Sequence, residues 1–157
     1  MFELSLIGAV ASAILAGVFF AFSSFIMTAL GNIEPSAGIK AMQRINIDVF
    51  CWPFFALFFG TPFLSFYIGA YALLNLPLSE STLFFIAGLI QIIGSLLVTL
   101  FGNVPLNNSL AKLDPNAVDS HTAWKKYLVT WTRWNHLRAL ACLTTSIIYF
   151  SSSNAFL

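Results

Sequence analysis

Apolar residues run along this chain in four long blocks, separated by three more polar stretches. The blocks extend from about Leu4 to Leu30, Phe50 to Leu76, Thr82 to Phe101 and Asn135 to Phe150. A helix rises about 1.5 Å per residue, so crossing the hydrocarbon of a bilayer takes about 20 apolar residues. The first three blocks reach that length. The fourth is shorter, and Trp131 and Trp134 extend it into the interface. The pattern predicts an all-α integral membrane protein: one domain over residues 1–157, built as a four-helix bundle with spans at about 4–30, 50–76, 82–101 and 135–150.

The connections carry helical signals of their own. "EPSAGIKAMQRINIDVF" has a Pro/Ser opening followed by Ile39, Met42, Ile45, Ile47 and Val49, which predicts a short interfacial helix before the second span. From Asp119 or Ser120, plausible caps, the residues Trp124, Tyr127, Leu128, Trp131, Asn135 and Arg138 follow a 3.6 period. They predict an extended cytoplasmic start to the fourth span. Pro62 is expected to kink the second helix, and Gly102 with Pro105 to end the third. The N-terminal block lacks a basic leader region and is too long for a cleaved signal, so it reads as a retained span.

Composition agrees. The chain is 59% hydrophobic and 8% charged, against about a quarter charged in soluble domains. Bilayer, not water, is the expected surrounding. Lys40 and Arg44 lie in the first connection, and Lys112, Lys125, Lys126 and Arg133 in the third. The second, "NLPLSES", has no basic residue. The positive-inside rule then puts the first and third connections in the cytoplasm and both termini outside it, with the plasma (inner) membrane as the expected location. Ala9, Ala13, Gly17 and Ala21 recur every four residues, beside Gly8, Ser12 and Ala16. Such a stripe is expected inside the bundle, or at a homo-oligomer contact. Gly88, Gln91 and Ser95 share a face, and Gln91 should point inward.

Little here matches familiar chemistry. His121 and His136 lie 15 residues apart, about 22 Å on one helix, so they cannot share a haem iron. Cys51 and Cys142 form no metal-binding pair, and the donor set is too poor for zinc. No metal, haem or organic cofactor is expected. No basic patch supports a nucleic-acid partner. What remains is polar side chains at one membrane depth: Asn135, His136 and Arg138 in "WTRWNHLRALA", and Asn103 and Asn107 in "GNVPLNN". Two readings stay open. The cationic groups snorkel to lipid phosphates while the amides tie down loops, or the cluster is a site.

The segments "GVFFAFSSFIMTAL", "GIKAMQRIN", "FGNVPLNNSLAKLD" and "WTRWNHLRALA" together resemble the anthrone oxygenase-like integral membrane family, in order and over nearly the whole chain. The last two carry most of the specificity. The resemblance implies four membrane helices and, for some members, oxidation of anthrones to anthraquinones by molecular oxygen without an evident organic cofactor. Much of the family has no assigned function. On that reading a flat phenolic or quinone-like molecule is the small-molecule partner, and the lipid bilayer the surrounding one. His136 is the expected base, with Arg138, Asn135 and Asn103 stabilising an enolate oxygen. Gln43, Asn46 and Asn107 would orient the ligand, and Trp131 and Trp134 would stack on it. The second class the residues support is a non-enzymatic membrane protein: an accessory subunit, a packing partner or a lipid-binding module.

Overall fold

In the computed structural model, residues 1–152 are described, and they form five helices and no strand. Helix α1 is Phe2–Gly31, α2 Pro35–Asp48, α3 Trp52–Asn75, α4 Leu78–Ala111 and α5 Val118–Ser152. Helices α1, α3 and α4 are long and apolar enough to cross a membrane, as in a membrane protein. Large apolar side chains such as Phe20, Phe63, Leu74, Phe101 and Phe150 lie exposed on the outside, where a soluble protein would place charge. The C-terminal half of α5, where a fourth span is expected, is less apolar. Its inward stripe carries Asn135, Arg138 and Thr145.

α1 lies along α5 and α3 along α4, and the pairs close through α4 with α5 and α1 with α3. Gly8 lies under the Tyr149 ring, and Ser146 donates to the Ala9 carbonyl at 2.8 Å. These contacts set the antiparallel register of α1 and α5. The buried row on α1 is Gly8, Ala9, Ser12 and Ala16, whereas Ala13 and Gly17 are exposed. The stripe is therefore only partly internal, because the four-residue repeat drifts around a helix of 3.6 residues per turn. Gly88, Gln91 and Ser95 all face inward, as expected. Trp124 and Trp131 sit in a core with Met27, Ile39 and Met42, while Trp52 and Trp134 are exposed.

Three segments are wound as π-helix: Phe22–Ile26 in α1, and Ile92–Leu97 and Thr99–Asn103 in α4. The last corrects one expectation. Gly102 does not end the helix; α4 continues to Ala111. The widened turn comes just before Pro105, whose ring would otherwise clash with the carbonyl four residues earlier. Gly102 is needed for packing, since a Cβ there would sit 2.9 Å from the Trp134 ring. α3 runs unbroken past the buried Pro62. α5 begins at Val118, a residue before the expected caps.

Candidate functional site

The α5 stripe Tyr127, Trp131, Asn135, Arg138 and Cys142 is buried, as a 3.6 period demands of a helix inside a bundle. Asn135 is fully buried, and its Nδ2 donates to the Phe19 carbonyl and, at 2.6 Å, to Ser23 Oγ. Ser23 lies in the π-helical turn of α1, and Phe19 lies in the α-helical turn before it. Arg138 Nη2 donates to Asn135 Oδ1, and Nη1 to Thr99 Oγ1 at 3.2 Å. Thr99 opens the second π segment of α4. The π turns of two helices thus face the same pair of polar residues on a third.

Of seven Lys and Arg residues, six are exposed, and Arg138 alone is buried, at 5%. No carboxylate side chain offsets its charge. The one salt bridge among the described residues is Arg44–Asp48, at 2.8 Å on the surface. The guanidinium lies 4.3 Å over the Phe19 ring and 5.2 Å from the Trp131 ring. Its Nε has no hydrogen-bond partner. Stacking and two neutral acceptors only partly repay the desolvation of a cation.

Arg138 faces a cavity of about 180 Å³. Phenylalanine is the commonest residue of its walls, with Phe19, Phe22, Phe50, Phe54, Phe55, Phe58 and Phe59. Its polar lining residues are Asn46, Thr99, Asn107, Asn135 and Arg138. No Asp, Glu or His lines it. Asn107 Oδ1 accepts from the Tyr127 hydroxyl and the Trp131 Nε1, both at 2.9 Å. Burial pushes the Tyr127 phenol above its ordinary value, so it remains a neutral donor.

The structure gathers some expected site residues and separates others. Asn135, Arg138, Asn107, Asn46 and Trp131 meet at the cavity. Asn103 is buried beside it, with Nδ2 donating to the Trp131 carbonyl at 3.2 Å and Oδ1 unpartnered. Gln43 serves the fold: its Nε2 donates to the carbonyls of Leu110 and Leu113 at 2.9 and 3.1 Å, tying α2 to the end of α4. Trp134 lies against Gly102, outside the cavity. His136 is exposed and lines a separate shallow groove with Ala13, Gly17 and Leu140. One residue step turns it about 100° from Asn135, which places it on the outer face of α5.

The sequence reading missed the aromatic wall, Thr99 and Ser23. Phe54, Phe55, Phe58 and Phe59 lie in a run so apolar that nothing distinguishes cavity-facing from lipid-facing rings. Thr99 and Ser23 lie in π turns, which no sequence period announces.

The fold and cavity define a helical protein of membrane type with a hydrogen-bond-donor-lined aromatic pocket around one buried cation. The anthrone oxygenase family's sequence profile matches residues 53–148, more than half of the chain, and the chain belongs to that family. The match takes in α3, α4 and most of α5, and so Asn107, Trp131, Asn135 and Arg138. No curated protein and no solved structure is significantly similar to the chain.

Proposed function

We propose that this chain is a membrane oxygenase that binds a flat, acidic aromatic ketone or phenol in the phenylalanine-walled cavity and directs its oxidation by molecular oxygen. The observation that carries this reading is the buried, carboxylate-free guanidinium of Arg138. A cation so placed stabilises an anion brought by a ligand. In the proposed topology α5 supplies the fourth span and α2 lies along the inner interface. Exposed Lys40, Lys112, Lys125 and Lys126 face the cytoplasm, and the cavity opens near that lip.

The chemistry asks little of the protein. An anthrone carries an acidic methylene opposite its carbonyl. Loss of one methylene proton gives an enolate whose charge rests largely on the carbonyl oxygen. The Arg138 guanidinium stabilises that oxygen, and Asn135 fixes its direction. The proton leaves to water at the mouth, since no carboxylate or imidazole lines the cavity. The enolate carbon gives electrons to dioxygen and forms a C–O bond, and protonation yields a hydroperoxide. Loss of water from it leaves a second carbonyl. In sum, one methylene and one dioxygen become one carbonyl and one water. Both methylene C–H bonds and the O–O bond break, and a C=O bond and the O–H bonds of water form. Carbon is oxidised, and dioxygen is the oxidant. Trp131 and the phenylalanines hold the rings flat and dry.

The test is anthrone oxidation by the full chain in lipid nanodiscs, read as oxygen uptake and anthraquinone absorbance above that of empty discs. The reading expects a protein-dependent rate that Arg138→Gln abolishes. A rate equal to that of empty discs for every anthrone and phenol tried would overturn it.

A further inference from the structure

Asn107 lies at the end of the cavity away from Arg138, and its amide orientation is fixed. An indole N–H can only donate. The atom that receives Trp131 Nε1 and the Tyr127 hydroxyl is therefore the amide oxygen. Nδ2 is turned away from α5, with no acceptor among the described residues. Asn46 faces the same end. Its Nδ2 is buried with no hydrogen-bond partner. From Trp131 to Arg138 is seven residues, two turns or about 10 Å along the axis. Phe19 lies against Arg138 and Phe22 against Trp131, and Phe54 and Phe58 line the same cavity.

The cavity is thus an apolar slot with donors at both ends. A ligand that fills it and leaves an amide N–H facing carbon incurs the desolvation cost of that donor. We infer that Asn107 is a specificity-determining donor that recognises a second oxygen acceptor on the ligand. The preferred substrates are then flat fused-ring aromatics with oxygens at two separated positions: one charged, at Arg138, and one neutral, at Asn107. The inference rests on the proposed function in assigning the charged oxygen to Arg138.

Three naphthalene probes test it by calorimetry on the full chain in nanodiscs: 2-naphthol, 6-methoxy-2-naphthol, whose ether oxygen can only accept, and 2,6-dihydroxynaphthalene. The wild type should bind the ether and the diol about tenfold more tightly than 2-naphthol, the worth of one such hydrogen bond. Asn107→Asp keeps an oxygen for Tyr127 and Trp131 but turns a second acceptor toward the ligand. It should abolish the ether's advantage and spare that of the diol, which can donate. Asn107→Leu should abolish both. If 2-naphthol binds as well as the other two, or if the ether's advantage survives in Asn107→Asp, the role of Asn107 is overturned and that of Arg138 stands. If none of the three binds the wild type, the proposed function falls and takes this inference with it. The wild-type comparison decides even where neither variant folds.

Discussion

Arg138 Nη2 is held by Asn135 Oδ1 one turn earlier on the same helix, and the other end of that amide is held by the Phe19 carbonyl across the bundle. A residue of α1 thereby sets the aim of a cation on α5. Phe19 and Ser23 lie four residues apart on one face of α1, so one amide reaches both. The geometry directs the charge at the cavity rather than at lipid phosphate.

Replacing Arg138 should separate function from folding. Arg138→Leu removes the desolvation cost of a buried cation that no carboxylate offsets, and this opposes the loss of its hydrogen bonds to Asn135 and Thr99. Thermal unfolding in micelles should therefore shift little, or upward. Binding of 2-naphthol should fall roughly 10- to 100-fold, the worth of a charge-assisted hydrogen bond. A large loss of stability would make Arg138 a structural anchor.

Asn135→Ala should behave in the opposite way. It deletes donors to Phe19 and Ser23 and the acceptor for Arg138, all inside the protein. A loss of about 2–4 kcal/mol is expected, from buried groups left unpaired. Chemical denaturation of the two variants side by side reads the contrast.

His136→Ala should leave oxidation within about twofold of the wild type, because the ring lies outside the cavity. A drop of a hundredfold would restore His136 as the base and require the ligand to sit in the outer groove.

Much of this architecture was legible in the sequence. Hydropathy alone located α1, α3 and α4 to within a few residues, apart from the run of α4 past Gly102, and the 3.6 period from Trp124 to Arg138 marked the buried stripe of α5. Asn135, Arg138 and Asn107 stood out because polar groups are costly at that depth. His136 stood out for the same reason and faces elsewhere, since composition does not record a 100° turn. Gln43 drew notice as an amide near the lip, yet two carbonyls at the end of α4 occupy it. The cavity itself was invisible, because it exists where α1, α2, α3, α4 and α5 meet.

The glycines give a check on packing that is independent of chemistry. A Cβ on Gly94 would overlap the Ala141 Cβ, whereas one on Gly17 would meet nothing within 4 Å. Gly94→Ala should destabilise by about 1–3 kcal/mol, as overpacking does. Gly17→Ala should be neutral or stabilising by up to about 1 kcal/mol, since alanine favours the helix. Paired thermal melts would show it, and equal effects would contradict the contact between α4 and α5.

The most direct measurement is the ionisation of 2-naphthol bound to the full chain, followed by its absorbance as pH is raised. Two effects oppose each other. An apolar wall raises the pKa of a bound phenol, and an adjacent cation without a carboxylate lowers it. Because Arg138 faces the cavity with Nε unpartnered, the cation should prevail. Bound naphthol should ionise at least one pH unit below its value in water, and Arg138→Gln should remove that difference. Ionisation at or above the value in water, unchanged in Arg138→Gln, would contradict the account.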